Sequence, residues 1–384
     1  MMFRVGIALV ILAVTGAGAA TPVNLEKAIQ FPVEKFHLKN GMTILLHPDP
    51  SLPAVSVQTW FRVGSKDEVM GRTGLAHFFE HMMFKGTKKF PIDTWGKYLN
   101  SKGAETNAFT SNDYTGYYIN SPNENLALVL EIEADRMRNL LLDPKQVVSE
   151  REVVKEERRM RYDDNIEGGI HEKMASLMFE QLPYKWLPIG SITDLNAASM
   201  EDLRTFYKTF YSPNNAVLVI AGSFDSQQVK SLVEKTYGKL PREEINRPQV
   251  VPEPAQTKER RTSIEREAQA PSVAVGYRLP DVKHPDHYAM DLLSILLGQG
   301  QSSRLYKKLV YKHEVALHTG AYSWGQMLAG QFAIQVGLKP QQNSERVIQM
   351  VEQEVERLRE QNVSQKELDK ARTKHFKEAE FAIK

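Results

Sequence analysis

Along residues 54–63 apolar and polar positions alternate, with Val55, Val57, Thr59, Phe61 and Val63 on one side, which predicts a half-buried strand ended by Gly64. The same two-residue period flanks Asn40-Gly41 within residues 36–46, so two strands joined by a tight hairpin turn are expected there. Residues 216–221 (AVLVIA) are continuously apolar, as suits a strand in the middle of a sheet. Between these strands the period lengthens. LAHFFEHMMF, starting at Leu75, predicts a mostly apolar helix with Thr73 as its N-cap and Gly86 at its end. Residues 105–119 are rich in Thr, Tyr and Phe and predict strand, whereas residues 125–139 and 144–162 predict two helices, the second highly charged.

Around NRPQVVPEPAQT the periodicity stops, and three prolines mark a linker. Beyond it the first half's order returns. SVAVGYRL, residues 272–279, alternates like a strand. After a short turn, YAMDLLSILL is an apolar helix, and a later strand is expected over residues 330–336. The pattern predicts an α+β protein of two related domains, each a mixed or antiparallel sheet packed against helices. The expected boundaries are a first domain over residues 21–245, a linker over 246–262, and a second domain over 263–384. The second helix lacks a histidine pair, which assigns any metal chemistry to the first domain.

Composition changes this picture little: 42% hydrophobic and 25% charged residues are ordinary for a globular chain. A formal net charge of +2 offers no basic excess for nucleic acid and no acidic excess for cation storage. The absence of cysteine excludes disulfides and a lipid-modified N-terminal cysteine, and restricts any metal site to His, Asp and Glu. Residues 1–20 carry one arginine, then an apolar run, then small residues ending in Ala-Gly-Ala, the three-part pattern of a cleaved secretory signal. The run is too short to span a bilayer comfortably, and no other stretch is long and apolar enough. The expectation is an exported protein of the periplasm without stable membrane insertion, most simply from a Gram-negative bacterium.

The candidate chemistry lies in "GLAHFFEHMMFKGT". On a helix, residues four apart lie one above the other, so His77 and His81 can aim imidazole nitrogens at one ion, with Glu80 beside them. A hydrolytic zinc site needs three protein ligands, an open position for water and a nearby general base. His-x-x-Glu-His is the inverted-zincin arrangement and supplies two ligands and the base. For the third ligand, Glu150, Val153, Val154 and Glu157 fall on one face of the charged helix. A solvated helix is the bland reading of SEREVVKEERRMRYDD. The two valines turn that face inward, however, and would bury Glu150 and Glu157, which a metal can meet. Glu152 and Glu156 lie off the stripe.

GLAHFFEHMMFKGT, EREVVKEE at residues 150–157 and LGQGQSSRLY at residues 297–306 together resemble the pitrilysin/insulinase metallopeptidase family. Within it, the likeness is to the mitochondrial-processing-peptidase-like bacterial members, and it covers essentially the whole chain after the leader. The resemblance implies zinc held by His77, His81 and Glu157, Glu80 as general base, and Glu150 as a supporting residue needed for activity. It also implies an edge strand beside the metal to which an extended peptide substrate adds, in GAETNAFTSNDYTGYY, with Asn107, Ala108 and Phe109 at the substrate. The family's active members carry an Arg and a Tyr seven residues apart that hold the substrate carbonyl. The matching stretch here, residues 309–317, has Val310 and Leu317 instead, and Tyr311 does not replace them. The implied activity is therefore a zinc endopeptidase subunit acting on unfolded peptides, completed by a homologous partner that brings the Arg/Tyr pair. The alternative from another class is a non-catalytic structural or peptide-binding subunit. Relatives continue beyond the point matching Lys384, so the second domain is expected to be shortened. GQGQSS follows a helix rather than a strand, which argues against a phosphate loop.

Overall fold

The computed structural model describes residues 32–92 and 94–383. The signal predicted over residues 1–20 lies outside the described residues. The chain forms two compact units: residues 32–165 with Gln181–Pro252, and Ile166–Glu180 with residues 253–383. The predicted boundary placed residues 166–180 in the first domain. The helix there instead packs with the second: Arg260 Nη1 donates to the Leu177 carbonyl at 2.8 Å, and the His171 and Trp324 rings lie 6.1 Å apart. Helical periodicity reports that a face is apolar, not which sheet covers it.

In the first unit the elements run β1 (Glu34–His37), β2 (Thr43–Pro48), β3 (Ala54–Phe61), α1 (Leu75–Met82), α2 (Trp95–Ser101), β4 (Glu105–Thr110), β5 (Thr115–Pro122), α3 (Leu126–Asn139) and α4 (Pro144–Arg158). The chain then makes α5 (Ile166–Met178) in the second unit. It returns through α6 (Ile192–Ala197), α7 (Met200–Phe210), β6 (Ala216–Gly222) and α8 (Ser226–Tyr237). The six strands lie in the order β1-β2-β6-β3-β5-β4, antiparallel except for the β2–β6 pair. Residues 105–119, expected as one strand, are a hairpin. Its first strand, β4, is an edge of the sheet.

The alternation in β3 buries Val55, Val57, Thr59 and Phe61 on the face that the helices cover. β6 sits inside the sheet as expected, yet only Ala216, Leu218 and Ile220 are buried; Val217 and Val219 are partly exposed on the uncovered face. α1 is tied to the core by Phe79, whose ring stacks on Phe206 and Tyr207 at 5.8 and 5.7 Å. Full burial of such a ring contributes roughly 1.5–3 kcal/mol. At the hairpin turn Gly41 takes φ +92°, and Asn40 holds the turn by accepting from the Met42 N–H and donating to the Tyr237 carbonyl.

The second unit has β7 (Ser272–Leu279), α9 (His287–Gly298), β8 (Ala316–Trp324), β9 (Gly330–Leu338), α10 (Ser344–Glu360) and α11 (Gln365–Ile383), with an antiparallel sheet in the order β7-β9-β8. Leu305, Leu309, Ile334, Leu338 and Val351 form its core. β7, α9 and the β8–β9 hairpin repeat the plan of β3, α1 and the β4–β5 hairpin, since in each case the hairpin's second strand pairs with the strand before the helix. Among the described residues, no helix is long and apolar enough to cross a membrane.

Candidate metal centre

α1 does not start as the sequence suggests. Its N-cap is Gly74 at φ +92°, where Thr73 was expected. The free N–H groups are met by a distant carboxylate: Glu68 Oε2 accepts from Gly74 N and Oε1 from Ala76 N, both at 2.8 Å. Thr73 instead gives its N–H and hydroxyl to Asp194. Burial pushes the Glu68 carboxyl well above the usual range, against the pull of those two N–H groups. Local sequence carries no signal for a cap delivered from six residues upstream in an irregular loop.

α4 begins at a standard cap, with Asp143 accepting from Lys145 N and Gln146 N and Pro144 in the first turn. Its inward face is Val147, Glu150, Val154 and Arg158, all buried. Val153, expected to pack inward, is 49% exposed because it flanks this stripe. Glu152 and Glu156 point outward and pair with Lys155 and Arg159.

α1 and α4 bring His77, His81 and Glu157 together. Nε2 of His77 lies 3.6 Å and Nε2 of His81 3.2 Å from Glu157 Oε2, and one ligand atom from each residue lies within 4.8 Å of the others. Ligands at 2.0–2.1 Å from a tetrahedral zinc sit roughly 3.3–3.4 Å apart, so these separations suit one small divalent ion. The donor set agrees, being two imidazoles and a carboxylate. Glu157 Oε2 is buried with no hydrogen bond of good geometry, and so is His77 Nδ1 on the far side of its ring. Such orphaned polar atoms cost stability unless something charged meets them, and an ion held by the three residues would meet Oε2.

Two of the three ligand candidates are held from behind. His81 Nδ1 lies 2.9 Å from Glu150 Oε1, and Lys85 Nζ reaches Glu150 Oε2 at 2.5 Å. Glu150 is therefore a positioning residue behind His81, and does not itself face the His77–Glu157 side. Arg161, on the π-helical turn Arg159–Asp163 that extends α4, pairs with the outer Glu157 oxygen at 3.0 Å, leaving Oε2 turned inward. Charges follow this layout. Burial and the neighbouring His81 push His77 down to about 4. Burial also works against a charged His81, but the carboxylates of Glu150 and Glu157 outweigh it and raise this ring to about 9. The close His81 ring holds Glu157 below its usual range, overcoming burial. For Glu150, burial is outweighed by His81 and Lys85, and its carboxyl is also lowered.

Glu80 lies one turn along α1 from His77. Burial raises its carboxyl above the ordinary value, moderated by the Thr110 hydroxyl, which donates to Oε2 at 2.6 Å. Thr110 ends the edge strand β4, so the candidate base is anchored to that strand. The sequence did not single out Thr110. Strand alternation puts Ala108 on the Thr110 face and sends the Asn107 and Phe109 side chains to the other face, so the three positions implied to meet substrate share the β4 backbone edge and not one side-chain face. Phe109 packs against Trp60 with ring centroids 5.2 Å apart, beside a cleft of about 310 Å³ on the uncovered side of the sheet. Asn107 Oδ1 accepts from Ala108 N at 2.9 Å. In the second unit Val310 packs against the core, while Leu317 and Tyr311 are exposed.

Family models match two stretches: the insulinase family, peptidase family M16, over residues 43–185, and the peptidase M16 inactive domain over residues 197–374. The zinc protease PqqE of Helicobacter pylori is 32% identical over 369 residues, covering 95% of this chain and 82% of that one. The chain belongs to peptidase family M16. A crystal structure of a protease from Helicobacter pylori superposes with a TM-score of 0.86 at 32% identity, covering 91% of this chain and 85% of that chain. The M16 fold also appears in the first half of the periplasmic protease PqqL from Escherichia coli, at TM-score 0.73 and 24% identity. That match covers 91% of this chain and 77% of the half, and a match to the longer PqqL structure covers 40% of it.

Proposed function

We propose that this M16 chain is the zinc-binding subunit of an endopeptidase that hydrolyses unfolded peptides in the periplasm, and that a homologous partner completes its active centre. The carrying observation is the convergence of His77 Nε2, His81 Nε2 and Glu157 Oε2, with Glu80 one turn away. When bound, zinc supplies Lewis acidity that polarises the scissile carbonyl and makes water a better nucleophile at neutral pH. Glu80 takes the proton from the attacking water and delivers it to the leaving amine. Its raised pKa suits the first duty, because a carboxylate of higher pKa is the stronger base and a pKa nearer the working pH favours proton transfer. Glu150 keeps the His81 ring oriented with Nε2 toward Glu157, where the two would hold the ion. An extended peptide pairs its backbone with the β4 edge, which recognises main chain rather than sequence and so favours unfolded substrates.

The partner is inferred from Val310 and Leu317, which offer no donor to a substrate carbonyl. The PqqL match supports a two-half arrangement, since one half there has this fold. Export rests on the leader pattern of residues 1–20. The test is peptide hydrolysis by the zinc-loaded chain alone and after mixing with a homologue that carries the Arg/Tyr pair. Activity should appear on mixing and vanish with Glu80→Gln. Full activity of the chain alone would refute the split centre, and an active Glu80→Gln would refute the assigned base.

A further inference from the structure

The segment that brings the chain back from α5 ties together the parts that carry the candidate ligands. The Tyr184 hydroxyl donates to Asp113 in the β4–β5 turn at 2.6 Å, and Trp186 Nε1 donates to the Ser65 carbonyl at 3.0 Å. The Gly190 carbonyl accepts from Arg158 Nη1 at 2.8 Å, and Ser191 N donates to Thr73 Oγ1 at 3.2 Å. Asp194 then accepts both the N–H and the hydroxyl of Thr73. Arg158 is the buried neighbour of Glu157, and Gly74 lies three residues before His77.

Gly190 and Gly74 meet backbone to backbone. A Cβ on Gly190 would lie 2.5 Å from both Cα and N of Gly74, and both glycines have positive φ, +71° and +92°. The end of α4 and the start of α1 are thus pinned to one residue of a loop. We infer that Gly190, gripped by Arg158, sets the separation of His77 from Glu157 and thereby the metal affinity; this rests on reading the triad as a metal site. A side chain at Gly190 must push this backbone contact from 2.5 Å toward the 3.4 Å of ordinary contact, nearly an ångström. Metal–ligand distances tolerate only about 0.2 Å. The displacement exceeds the tolerance of the site while remaining small for a fold of this size.

Zinc affinity is measured by competition with a chromophoric chelator, and site geometry by the visible absorption of the cobalt(II)-substituted chain. Gly190→Ala and Arg158→Met should each weaken zinc binding at least tenfold and alter the cobalt bands. The control is Gly222→Ala, at the end of the sheet opposite Thr110, where a Cβ would lie 2.2 Å from the Ala54 carbonyl at φ +119°. It imposes a comparable clash, yet its folded fraction should bind zinc and cobalt as the unmodified chain does. If Gly190→Ala does not fold, Arg158→Met decides, because it removes the grip without adding a clash. Unchanged affinity and cobalt spectrum in folded Arg158→Met overturn the inference. An unmodified chain that binds neither metal overturns the metal-site reading itself.

Discussion

Zinc must compete with a proton at His81. That ring has a pKa of about 9 without metal, because Glu150 and Glu157 favour its charged form over the cost of burial. His77, held down to about 4, and Glu157, held below its usual range, are already deprotonated at neutral pH. Metal binding should therefore release one proton, and log K should rise with slope one from about pH 6 until it levels near pH 9. Displacing that proton at pH 7 costs roughly 2.7 kcal/mol, two units at 1.36 kcal/mol each. Glu150→Gln removes one of the two carboxylates and lowers the pKa of His81 toward 6.5. It also loosens the ring, and losing such an outer partner typically costs 10–100-fold in affinity. Near pH 6.5 the relief from proton competition offsets much of that loss. At pH 9.5 little competition remains, so the variant should bind about 10–100-fold more weakly. The assay is chelator competition at a series of pH values, corrected for the chelator's own protonation. Parallel profiles for the two proteins, or a slope of two in the unmodified chain, would refute the reasoning.

Without metal, the two histidines set the stability profile with opposite signs. His77 is depressed, so its contribution is present above pH 6.5 and lost as pH falls toward about 4, roughly 3 kcal/mol in all. His81 is raised, so its contribution is present below pH 6.5 and lost as pH rises through about 9. Urea unfolding in chelator at pH 4.5, 6.5 and 9.5 should be most stable in the middle, and His77→Gln should flatten the acid side. Val154→Ala should cost about 2 kcal/mol by losing buried methyl groups, whereas Val153→Ala should stay within about 0.5 kcal/mol; equal costs would contradict the inward face assigned to α4. Phe109→Ala should leave zinc content and affinity unchanged, since its ring packs on Trp60 away from the ligands. A loss of bound zinc on that change would place its side chain on the wrong face.

The parts legible in the sequence were those set by short periods. Two-residue alternation located β3 and the hairpin at Asn40-Gly41, and the four-residue spacing of His77 and His81 put both on one side of α1. The glutamates of α4 were recovered by the same reasoning, although Val153 was misplaced because a stripe drawn through positions 150, 153, 154 and 157 is centred slightly off the true face. What depended on contacts across the chain was not legible. Glu68 caps α1 from a loop, Thr110 reaches Glu80 from a strand edge, and Gly190 meets Gly74 from beyond the excursion of α5. None of these has a local pattern, because their partners are set by how helices dock on the sheet. Arg161 was an intermediate case: its four-residue spacing from Glu157 is visible, but an exposed arginine on a charged helix has no distinguishing mark until Glu157 is known to turn inward.

The central claim is that His77, His81 and Glu157 hold one zinc ion, and metal analysis after zinc loading and dialysis tests it most directly. The account predicts one zinc per chain in the unmodified protein and in Glu80→Gln, and almost none in folded His77→Ala. An unmodified chain without zinc, or a His77→Ala variant that retains a full equivalent, would contradict it.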